Sequence, residues 1–118
     1  MTAATQYDAA DPPERPVALA DEADLDALVE TYDTVLVEFY TEGCSVCASM
    51  EPILGIAAQE SDAVVATVNP RDDPPLVDRF DVRSVPLLVV FREGEAVERV
   101  ADGFQPVEDV IDLIERNQ

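Results

Sequence analysis

The chain has 118 residues, 26 of them acidic and seven basic, for a formal net charge of −19, and 47% of its residues are hydrophobic. The length suits one domain, since cores split only well above ~250 residues, and the apolar fraction excludes a disordered chain. The charge excludes nucleic acid and anionic membrane surfaces as partners, because phosphate binding needs clustered cations and the basic residues, all arginine, form no patch in sequence.

Residues 1–16 hold three prolines (Pro12, Pro13, Pro16) and little apolar content, so a flexible N-terminal segment is expected before a domain over 17–118. Val17-Ala18-Leu19 predicts a short strand. Asp21 predicts the cap of a helix with Leu25, Leu28 and Val29 at helical spacing. Val35 to Tyr40 is a nearly continuous run of β-formers, as in a strand covered on both faces. Ser45 to Gln59 reads as a helix with Met50, Ile53, Leu54 and Ala57 inward and Pro52 bending it. Ala63 to Val68 predicts a strand, residues 69–74 a loop, and Pro75 to Phe80 a short helix opened by proline. Leu87 to Phe91 and Ala96 to Val100 predict a hairpin through Arg92-Glu93-Gly94-Glu95. Pro106 to Arg116 closes the chain as a helix with Val107, Val110, Ile111 and Ile114 inward. The order βαβαβαββα gives an α/β fold: a parallel core, required by strand–helix alternation, with an antiparallel edge from the late hairpin.

Cys44-Ser45-Val46-Cys47 falls where the apolar strand gives way to a helix. Free N–H groups and the positive end of the helix dipole stabilise a thiolate there, so Cys44 is expected to have a lowered pKa and to attack. Residues three apart share a helix face, and tightening of the first turn brings the two β-carbons within disulfide range. Cys47 is then placed to resolve a mixed disulfide on Cys44. Two other readings stand beside this one: inert structural cysteines, or half of a metal site. The second lacks ligands, since there is no third cysteine and no histidine.

With these landmarks in order, residues 17–116 resemble the thioredoxin family. The resemblance rests on Val35–Tyr40 before the CxxC, on Pro52, on Ser84-Val85-Pro86 before a strand, on Gly94 in the hairpin and on Gly103 before the last helix. It implies the thioredoxin fold and a protein-disulfide oxidoreductase whose redox group is the Cys44/Cys47 pair, with no other cofactor and no metal. It also implies a cis Val85–Pro86 bond beside the cysteines, with the Val85 backbone pairing with an extended substrate; the substrate face comprises Gly43, Ser45, Val46, Val85, Pro86 and Gly103. Disulfide-containing proteins are the implied substrates, a thioredoxin-reductase-type flavoprotein the implied electron donor, and a monomer the expected state.

Glu38, six residues before Cys44, matches a position where the family usually has Asp. Buried, its carboxyl would have a raised pKa and could take the proton of Cys47; on an exposed strand face it would do neither. Four departures from the family pattern surround the site: Gly43 for a usual Trp, Ser45-Val46 for Gly-Pro, Thr67 for a common Lys, and Leu87 for Thr. They keep open an alternative, a thioredoxin-fold binding module with vestigial cysteines and a groove around Gly43, Val85 and Leu87.

The absence of lysine and the density of carboxylates suit multimolar salt, where the Debye length falls to roughly 3 Å and self-repulsion is screened. A halophilic archaeon is the expected source. No run nears the ~20 apolar residues that span a bilayer, and Met1 to Asp8 has no basic or apolar leader pattern, so a cytoplasmic protein is expected.

Overall fold

The computed structural model describes residues 7–118. Along the chain it has strand β1 (Val17–Leu19), helix α1 (Glu22–Thr31), β2 (Thr34–Phe39), α2 (Ser45–Glu60), β3 (Val64–Val68), α3 (Pro75–Arg79), β4 (Leu87–Arg92), β5 (Glu95–Val100) and α4 (Val107–Glu115). This is the predicted order. The stretch read as a loop after β3 holds one 3-10 turn, Pro70–Asp72, because the Asn69 side chain accepts the Arg71 N–H at 3.0 Å and closes it.

The five strands form one mixed sheet in the order β1-β3-β2-β4-β5. β3 runs parallel to both β1 and β2, whereas β4 is antiparallel to β2 and β5 to β4. All six residues of β2 are buried, as its unbroken apolar run requires. Its side chains divide by parity between two cores. Val35, Val37 and Phe39 join Val64, Ala66, Val68, Leu87, Val89 and Phe91 against Leu25, Leu28 and Val29 of α1 and Leu76 of α3. Leu36 joins Val65, Leu88 and Val90 against Met50, Leu54 and Ala57 of α2 and Val110, Leu113 and Ile114 of α4. Glu38, two residues after Leu36, falls on this second face.

Local signals explain the ends of the helices. The Asp21 carboxylate accepts the Asp24 N–H at 2.9 Å, capping α1 as predicted. In α4 the inward set differs from the sequence reading: Leu113 is buried with Val110 and Ile114, while Val107 and Ile111 are only half-buried. Five apolar residues spread over a wide arc of that helix, and the sheet selects which part of the arc is covered. For the same reason Ile53 of α2 is half-buried, and Cys47 and Ala58 are buried instead.

Part of the N-terminal segment expected to be flexible, residues 1–6, lies outside the described residues. Of the remainder, Tyr7 packs its ring 6.4 Å from that of Tyr32, and the Tyr32 hydroxyl donates to the Asp8 carbonyl at 2.9 Å. Arginines tie the edges together. Arg79 of α3 reaches Glu22 and Asp26 of α1 at 2.7 and 2.9 Å, and Arg116 joins Glu98 of β5 to Asp112 of α4.

Candidate active site

β2 delivers the chain to the C-terminal edge of the sheet, where residues 40–43 turn it into α2. Gly43 makes that turn with φ +82°, a conformation that resists any side chain. Cys44 follows as the N-cap of α2. Its Sγ takes the place of a capping oxygen and accepts the Cys47 N–H at 3.1 Å, while its carbonyl accepts the Ala48 N–H. The sulfurs of Cys44 and Cys47 are bonded to each other, with their α-carbons 5.3 Å apart. Cys44 is half-buried and Cys47 only 4% exposed, so one sulfur of the pair is open to a partner and the other is screened behind it. The N–H groups at this helix end favour negative charge on the outer sulfur when the bond is opened.

The Val85–Pro86 bond is cis, as the resemblance implied. Leu87, the next residue, pairs with Phe39, the last residue of β2, so the cis bond stands at the same edge of the sheet as the turn leading to Cys44. Gly103, with φ +80°, begins the segment before α4, and the Gln105 N–H donates to the Met50 Sδ at 3.4 Å, holding that segment to α2. Ser45 and Val46 are exposed on the first turn of α2.

Behind the disulfide lies a cleft of about 540 Å³, lined by Glu38, Gly43, Cys44, Cys47, Glu51 and Thr67 among others. It unites Glu38, Gly43 and both cysteines, whereas Ser45, Val46, Val85, Pro86 and Gly103 are not part of its wall. Glu38 is 2% exposed, which decides between the two sequence readings in favour of burial. Its Oε2 has no hydrogen-bond partner among the described residues. Burial, and secondarily the nearby charge of Glu51, push its pKa up to about 7. Its neighbours on the flanking strands are Thr67 and Leu88, neither of them cationic. A carboxyl so placed is shared between its two forms near neutrality and can take up or release a proton there.

A family model described as Thioredoxin matches residues 16–116. The chain belongs to the thioredoxin family. A thioredoxin of Staphylococcus saprophyticus is 34% identical over 84 residues, covering 70% of this chain and 80% of its own. A thioredoxin of Staphylococcus aureus is 31% identical over 98 residues, covering 81% and 92%. Among solved structures, a mutant thioredoxin from Halobacterium salinarum superposes with a TM-score of 0.86 at 34% identity, covering 91% of this chain and 94% of that one. A Schistosoma mansoni thioredoxin, at 21% identity and a TM-score of 0.80, shares the fold.

As a member of the thioredoxin family with its CxxC pair closed into a disulfide, the protein is a protein-disulfide oxidoreductase. Thioredoxins in general act on disulfide substrates and are recycled by a reductase. Sequence reasoning passed over Glu51 on the cleft wall. The signal was present, since Glu51 lies four residues after Cys47 on the same helix, and residues so spaced share a face. Among the described residues no group of three or more His, Cys, Asp or Glu could hold a metal ion, and no helix is long and apolar enough to cross a membrane.

Proposed function

We propose that the protein reduces disulfides in other proteins with Cys44 as nucleophile and Cys47 as resolving thiol. The Cys44 thiolate attacks one sulfur of the substrate disulfide, and the other substrate sulfur leaves as a thiolate and takes a proton. Cys47 then gives its proton to Glu38 and attacks the Cys44 sulfur; the second substrate thiolate departs and the Cys44–Cys47 bond forms. The single observation that carries this assignment is the contrast between the two sulfurs: Cys44 caps α2 at a half-open position and Cys47 is screened at 4% exposure. A dithiothreitol-driven insulin reduction assay tests it. Cys44→Ser is expected to be inactive and Cys47→Ser to accumulate mixed disulfides; wild-type turnover by Cys44→Ser would overturn the assignment.

Gly43, Ser45, Val46, Val85, Pro86 and Gly103 form the substrate face in this reading, with the Val85 backbone pairing with an extended segment. The exposure of Gly43, Ser45 and Val46 around Cys44 supports it. The protein works as a monomer in the cytoplasm of a halophilic archaeon, where a flavoprotein reductase returns it to the dithiol and so passes electrons to its substrates. The charge of −19 and the likeness to the halobacterial structure support that setting.

A further inference from the structure

Cys47, Glu51 and Leu54 follow one another along α2 at intervals of four and three residues, and all three line the cleft behind the disulfide. Glu38 of β2 and Thr67 of β3, paired in register, stand on the same cleft wall. Glu38 is buried with an unpartnered Oε2, while Glu51 is exposed. The cleft therefore has a buried carboxyl at its floor and a second carboxyl at its rim, on the helix that carries the resolving cysteine.

We propose that Glu51 is a positioning residue for the resolving step, its carboxylate acting through Glu38 across this cleft to govern the transfer of the Cys47 proton. The inference rests on the role given to Glu38 above. Among the described residues, the strands flanking Glu38 and the inward face of α4 bring it no charged side chain. β3 offers Thr67 and β4 offers Leu88; α4 turns Val110, Leu113 and Ile114 toward this face of the sheet; the turn after β2 adds Tyr40 and Glu42 to the cleft wall. Burial is the larger influence on the Glu38 carboxyl, and to it the Glu51 charge adds a repulsion, so that Glu38 holds a proton more firmly. Thr67, the register partner of Glu38 on β3, is uncharged and does not counter this effect.

The resolving step can be read alone in the full chain. Once a phosphine has reduced the pair to the dithiol, the Cys44 thiolate attacks one equivalent of an aryl disulfide, breaking its S–S bond, placing one aryl sulfur on Cys44 and releasing the first coloured thiolate. As Cys47 loses its proton and attacks, the Cys44–aryl bond breaks, the Cys44–Cys47 bond forms, and the second coloured thiolate appears. Its rate against pH should bend near neutrality in the wild type. Glu38→Gln should abolish the bend, Glu51→Gln should move it to lower pH by roughly one unit, and Glu51→Asp should return it toward the wild-type position. A bend that stays in place in Glu51→Gln but vanishes in Glu38→Gln overturns the role of Glu51 and leaves that of Glu38 intact. A bend that survives Glu38→Gln overturns both.

Discussion

Glu38 and Thr67 are register partners on adjacent parallel strands, the acid buried and the alcohol half-buried, both on the wall of the cleft behind the disulfide. The family commonly carries lysine at the position of Thr67. Here a hydroxyl stands in its place, and among the described residues no cation holds the charge of the acid.

Thr67→Lys should therefore lower the Glu38 pKa from about 7 by roughly one to three units, since an ammonium within a few ångströms favours the carboxylate. The chemical shift of the Glu38 carboxyl carbon against pH measures it. A midpoint that stays near neutrality would mean the lysine extends its head out of the cleft to water.

Glu38 also makes stability depend on pH in a fixed direction. Its folded pKa of about 7 exceeds its ordinary 4.5, so between these values the folded protein binds more protons than the unfolded chain. Unfolding free energy from this group thus falls as pH rises through that window and changes no further above it. Glu38→Gln removes the dependence: relative to wild type, the variant should gain roughly 1–3 kcal/mol on going from below pH 4.5 to above pH 7. Urea unfolding of both proteins at the two ends of the window gives the number, and an equal difference at both ends would contradict it.

At Gly43 the backbone has φ +82°, and a β-carbon built there meets no atom within 4 Å. The cost of Gly43→Ala is then conformational and not steric, roughly 1–2 kcal/mol. Thermal or urea unfolding should show that loss with the disulfide still formed. A tryptophan meets the same strain, so restoring the aromatic platform usual in the family carries a similar conformational cost.

The acidic surface predicts that the melting temperature rises steeply with KCl. Exposed pairs such as Arg116–Glu98 contribute little each and weaken as salt is added, whereas the repulsion summed over 26 acidic residues is relieved. Equal melting temperatures at low and multimolar KCl would remove the case for adaptation to salt.

The order of strands and helices, the cap at Asp21 and the placing of Cys44 at a strand-to-helix turn were legible in the sequence because each depends on local periodicity and backbone chemistry. The cis bond at Val85–Pro86 was legible only through family likeness, as proline alone favours trans. Other features needed the assembled sheet. The residues of α4 that face inward, Leu113 and not Val107 or Ile111, follow from how that helix packs against α2 and its face of the sheet, which periodicity leaves open. Whether Glu38 was solvated or buried depended on α2 covering its face of the sheet. Glu51 became part of the same story only when that helix laid it beside the cleft. Sequence by itself determined the two sulfurs and the turn that presents them; tertiary structure decided the electrostatics behind them, because a carboxyl's proton affinity is set by what surrounds it and those surroundings come from distant parts of the chain.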